Sequence, residues 1–190
     1  MSPSDRLTKR QRQLVRELGE IAELLGLDYG DIKSYDREQR TVRLEMIKDL
    51  LVRAEVVSKY TLINESLDSI ISEYYFGPFT QKKGFMYYWR TKKFQRFNFY
   101  ILERLSILQK LDLVKDVTKM PANIANNIAA INDLRNALAH AFFPENLRRY
   151  RPSKPVYKGK NIFSLEGLER FLEDCEAIWD WYYRRLGHKT

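Results

Sequence analysis

Residues Asn123 to Phe143 read NIANNIAAINDLRNALAHAFF, and the rest of the chain is arranged around them. Pro121, just ahead, suits the first turn of a helix, where a missing N–H costs nothing. Ile124, Ile128, Ile131, Leu138 and Phe142 then recur at helical spacing as one apolar stripe. Arg135 falls within that stripe; at 100° per residue it sits about 20° from Ile124. A guanidinium keeps its charge, so burial there demands either an anionic partner or a polar cleft. His140 lies about 140° round the helix from Arg135, over a second face of Ala129, Asp133, Asn136 and Ala137. That face has little bulk and lets another helix or another subunit come close. Both faces of the helix are expected to be covered.

Toward the N-terminus, helical period runs from about Thr91 through Phe94, Phe97, Ile101, Leu105 and Leu108, so one helix is expected to end near Leu111. Glu103 is its only interior carboxylate and one candidate partner for Arg135. Asp133 is the other, but it points some 160° away from Arg135 on an ideal helix. The overlapping stretch Gln81–Tyr100, QKKGFMYYWRTKKFQRFNFY, interleaves aromatic rings with Lys and Arg. Such a mixture suits stacking on unpaired bases beside phosphate-binding cations. Phe97 and the apolar residues beyond it are read as core, whereas Tyr87, Tyr88 and Trp89 fit core and surface equally. Before this, no Gly or Pro interrupts the chain from a capping-box start at Asp36 and Gln39 to about Tyr75. One long helix is expected there, with Leu44, Ile47, Leu51, Ala54, Val57, Leu67, Ile70 and Ile71 inward and Phe76-Gly77-Pro78 as its stop. Leu7–Leu25 reads as an amphipathic helix closed by Gly26, which is either a bundle member or an arm.

Toward the C-terminus, Pro144 ends the central helix. Asn146–Phe163 carries a tight-turn candidate, Lys158-Gly159-Lys160, in a basic loop or small hairpin. Ser164 then caps a last helix with Leu168, Phe171, Leu172, Cys175, Ile178, Trp179 and Tyr182 on its apolar face. The expected fold class is all-α, an up-and-down bundle of about five helices with that basic insertion before the last. Residues 1–190 form a single domain in this reading, with 1–35 as N-terminal helix and connector and 36–186 as core bundle.

The charge is uneven. No acid lies between Glu73 and Glu103 or between Glu145 and Glu166, and those two stretches hold 12 of the 33 Lys and Arg residues. Elsewhere acids outnumber bases, so the formal +8 comes entirely from these segments. The choice is between solvated loops and a patch for a polyanion; the second assigns RNA binding to Lys82, Lys83, Arg90, Lys92, Lys93, Arg148, Arg149 and Arg151. One Cys excludes an internal disulfide, and Cys175 is read as a small buried hydrophobe. One Cys and two separated His residues give no zinc spacing, so no metal and no cofactor is expected. No run approaches a membrane helix, and the N-terminus has no apolar segment of the signal-peptide kind; a cytoplasmic location is expected.

Arg135-Asn136-Ala137-Leu138-Ala139-His140 resembles the signature of the HEPN superfamily, helical bundles that carry an Arg and a His four to six residues apart, often with Asn after the Arg. FYILERLSILQKLDLV resembles the helix that precedes the motif in many of its members. The resemblance implies a metal-independent ribonuclease acting as a homodimer, with Arg135, Asn136 and His140 catalytic and RNA as substrate. It also implies a toxin or defence setting, in which an antitoxin protein is a further partner. Phe142 stands where toxins paired with a minimal nucleotidyltransferase often have a modifiable Tyr, so control by that modification is not expected. Other HEPN domains are non-catalytic binding or dimerisation modules, which is the alternative reading. A DNA-binding regulator is disfavoured because no short helix-turn-helix pair stands out.

Overall fold

The computed structural model describes residues 37–77, 88–140 and 155–185, the side chains of residues 37–43 and 140 excepted. The expected helix over Leu7–Leu25, the cap at Asp36, and Lys82, Lys83, Arg148, Arg149 and Arg151 lie outside the described residues. By packing the chain divides into two units, Met1–Leu51 and Val52–Thr190. The fold is all-α, with one two-stranded hairpin among the described residues.

Helix α1 runs without interruption over Arg37–Phe76. It ends at Gly77, whose φ of 89° is the left-handed conformation glycine adopts freely and whose N–H donates to the Glu73 carbonyl at 2.9 Å. Its buried stripe is Val52, Val56, Ile63, Leu67, Ile70 and Ile71, while Leu44, Leu51, Ala54 and Val57 are exposed. The expectation for those four was wrong for a physical reason. Apolar residues surround this part of the helix, and two stripes of the same period compete. Only the packing partner chooses between them.

The single helix expected over 91–111 is two. Helix α2, Lys92–Tyr100, starts at Thr91, whose hydroxyl accepts from the Phe94 N–H at 3.3 Å. A 3-10 turn, Leu102–Arg104, follows, and α3 occupies Ile107–Val117. Ser106 imposes the break. It takes extended backbone and forms a full capping box with Gln109, satisfying N–H groups on both residues. The buried residues accordingly become Phe94, Leu102, Ile107, Leu111 and Val114.

Helix α4 spans Ala122–His140, with the Pro121 carbonyl accepting from Ile124 and Ala125 at its start. The hairpin forms at the turn expected for it. Strand β1, Val156–Tyr157, pairs antiparallel with β2, Lys160–Asn161, and Lys158 and Gly159 both take positive φ. Helix α5, Leu165–Arg185, is capped by Ser164, whose hydroxyl accepts from the Gly167 N–H at 3.2 Å. Ile128, Ile131, Leu134, Tyr157, Ile162, Phe171 and Ile178 join the buried side chains of α1 and α3 in one core. Among the described residues, no helix is long and apolar enough to cross a membrane.

Candidate functional site

The Arg-Asn-His sequence occupies the last turns of α4. Its inner stripe packs as the spacing predicts, with Ile124, Ile128, Ile131 and Leu138 buried. Arg135 shares their angular position yet is exposed. Its guanidinium lies over the Tyr60 ring of α1, 5.2 Å from the centroid, and Nη1 donates to Asn136 Oδ1 at 3.2 Å. The charged fork thus rests on an aromatic face while the residue as a whole stays exposed to water.

Among the described residues, no carboxylate lies within ion-pair distance of Arg135. Glu103, the expected candidate, accepts instead from Asn98 Nδ2 at 2.7 Å. Asp133 is exposed and unattached to it. A cation held on an aromatic ring without a carboxylate keeps its capacity for two-pronged bonding to a phosphate. Asn136 is half-buried, one turn before His140 and about 40° from it round the helix. The His140 backbone follows Arg135 by about 7.5 Å along the axis. Its imidazole is outside the described side chains.

The outer face of α4 is open in one chain. Asn126, Asp133 and Ala137 are exposed, and Ala129 is half-buried. Cover was expected on both sides; within the described residues only the inner side has it.

Arg53 was not anticipated. Its Nη1 donates to the Leu138 carbonyl at 2.8 Å, and its guanidinium lies 5.5 Å from the Phe163 ring centroid. A second guanidinium therefore stands at the end of α4 that carries His140. No local signal marks it, since the two partners are 85 positions apart.

Of the expected RNA-binding cations, Arg90, Lys92 and Lys93 are described, and all three are exposed. They share no hydrogen bond or ion pair with α4 among the described residues. Lys92 and Lys93 open α2, whose first turn holds no acid, so they sit at the helix end where the backbone dipole disfavours positive charge. Tyr88 is buried and Trp89 half-buried, the latter edge-to-face with Phe94. Phe97 is half-buried against the core, but Phe99, Tyr100 and Ile101 are exposed, contrary to their reading as core. The early end of α2 accounts for this. Once the chain turns at Ile101, the inward face passes to Leu102 and Ile107.

The second basic segment loses two of its cations to structure. Lys158 Nζ bonds Asp174 at 2.7 Å and Asn127 at 2.6 Å, and Lys160 pairs with Glu166 at 2.6 Å. Tyr157 donates to Asp174 at 2.9 Å, and burial foremost, then that carboxylate, pushes its phenol well above the usual range. The hairpin is thereby fastened to both α4 and α5. Cys175 is buried as expected, and desolvation pushes its thiol up to about 12, which leaves it inert at neutral pH. Among the described residues, no group of three or more His, Cys, Asp or Glu side chains is placed to hold a metal ion. No protein-family model, curated protein or solved structure matches the chain.

Proposed function

We propose that the chain is a metal-independent endoribonuclease of HEPN type, acting as a homodimer on RNA in the cytoplasm. The observation that supports this most is the state of Arg135, a guanidinium exposed and, among the described residues, without a carboxylate partner, bonded to Asn136 on the helix that also carries His140.

In RNA the nucleophile is already present as the 2′-OH beside the scissile phosphate. A base removes its proton, the O2′–P bond forms, the P–O5′ bond breaks, and an acid protonates O5′. The products are a 2′,3′-cyclic phosphate and a 5′-OH. His140 suits the proton transfers, because an imidazole titrates near neutral pH. Arg135 suits the charge that develops on the phosphoryl oxygens, and Asn136 either orients His140 or donates to the substrate. Two copies meeting on the open, small-residue face of α4 would place two Arg-His pairs about one two-fold axis. A toxin or defence role, with an antitoxin as partner, follows from the family resemblance.

The test is cleavage of single-stranded RNA in EDTA by the parent, Arg135→Ala and His140→Ala. The expected result is cutting by the parent and a loss of about 100-fold or more in each variant. Equal traces in all three would end the nuclease reading. One observation favours a second reading, a non-catalytic binding module: the Arg135 guanidinium already has Tyr60 and Asn136 to hold it. In that case RNA is retained in a salt-dependent manner and stays intact.

A further inference from the structure

We infer that the solvent face of α2 is a stacking platform for unpaired nucleotides, built from Phe99 and Tyr100 and flanked by Lys92, Arg96 and Arg104. It rests on the reading of RNA as ligand and deepens it by naming where a single strand is held.

Positions 92, 95, 96, 99 and 100 recur at the helical interval and form one stripe. A shallow groove of about 390 Å³ follows that stripe, lined by Lys92, Gln95, Arg96, Phe99 and Tyr100. Both rings stand in water, Phe99 at 56% and Tyr100 at 58% exposure. Lone exposed apolar residues are ordinary on protein surfaces; adjacent aromatic rings bordered by cations call for a cause. The rings meet edge to face, 5.0 Å apart at 88°, so each props the other upright. Arg104 lies 5.6 Å from the Tyr100 centroid and brings a phosphate-binding fork to the margin.

Charge selects the occupant. No acid occurs between Glu73 and Glu103, and Glu103 is engaged by Asn98. The centres of protein–protein interfaces are depleted of lysine, whereas single-stranded nucleic acid needs this combination: flat rings for its bases and cations for its backbone. Bases in a duplex are already stacked on each other and cannot offer their faces.

The experiment uses the full chain and a labelled 12-nucleotide 2′-O-methyl RNA, which lacks the 2′-OH nucleophile, so binding is read without cleavage. Fluorescence anisotropy compares it with the corresponding duplex. The parent is expected to prefer the single strand. Phe99→Ala with Tyr100→Ala should weaken single-strand binding by about tenfold or more, while Phe99→Trp with Tyr100→Trp retains it. Lys92→Ala with Arg96→Ala should reduce the slope of log affinity against log salt by roughly 1.4, two phosphate contacts' worth. Both rings are more than half exposed, and an unchanged circular dichroism melt confirms that each variant folds. Parent-like binding by the double alanine variant would overturn the platform, as would equal affinity for duplex and single strand. A change in oligomeric state with no effect on RNA would also overturn it and assign the face to protein contact. The same variants on unmodified RNA separate the two proposals. Binding without cutting supports the platform and removes the nuclease; cutting that needs His140 but not the rings does the reverse.

Discussion

Replacing Lys110 with methionine tests what ties α3 to α1. Lys110 is 3% exposed, and its ammonium lies 2.8 Å from Asp68 and 3.1 Å from Asn64, both on α1. Methionine keeps most of the buried stem and removes only the charge. Breaking a fully buried pair from one side costs about 3–5 kcal/mol, because the remaining ion is stranded. Asp68 is 22% exposed, so water takes part of that burden and about 2–3 kcal/mol is expected at pH 7. For a chain of this size that lowers the melting temperature by roughly 5–10 °C. Asp68 already has its carboxyl raised above 3.8, by desolvation foremost, with Lys110 pulling it down. Without Lys110 it rises further. An acid whose folded pKa exceeds its unfolded one contributes stability below the unfolded value and loses it as pH rises through the folded value. The deficit of Lys110→Met should therefore shrink as pH falls from 7 toward 4. Adding Asp68→Asn should restore at least half of it, since no ion is then left alone. Urea unfolding followed by circular dichroism at both pH values gives the answer. A single variant within about 0.5 kcal/mol of the parent, or a double variant as weak as the sum of the singles, would refute the reasoning.

Gly167→Ala should destabilise the chain by about 1–3 kcal/mol, although alanine is the better helix former, because a Cβ there runs into the Asn161 backbone carbonyl of the hairpin. A rise in melting temperature would contradict that contact. Alkaline pH should unfold the protein early. Burial raises Cys175 from 9.0 to about 12 and raises Tyr157 and Tyr182 above 10.0, so all three hold protons in the fold that the unfolded chain releases. Melting temperature should hold steady up to about pH 9 and then fall, with Cys175→Ala delaying the onset. Rapid alkylation of the folded protein's thiol at pH 8 would show Cys175 to be less enclosed than described.

The fold was legible wherever a signal is local. Gly77 closing α1, Lys158-Gly159 turning the hairpin and Ser164 opening α5 each act within a few residues of themselves. The capping box at Ser106 and Gln109 was equally local and equally readable, but the continuing apolar period across Ile101 and Leu105 masked it. Errors of the other kind came from partners distant in sequence. Leu51 and Val57 belong to a second apolar stripe of the same helical period, yet it is Val52 and Val56 that join the core. At the candidate site the helix and its stripe could be read in advance. The exposure of Arg135, its seat on Tyr60 and the presence of Arg53 could not, because each depends on how α1 lies against α4.

The bond from Arg53 to the Leu138 carbonyl carries a consequence for assembly. Synthesis runs from the N-terminus, so the guanidinium leaves the ribosome long before its acceptor. Until residue 138 follows, that bond cannot form, and the terminal turn of α4 gains its tether after the intervening helices have been made. Nascent chains halted short of that point should therefore lack this tie between α1 and α4, whatever helix they already contain.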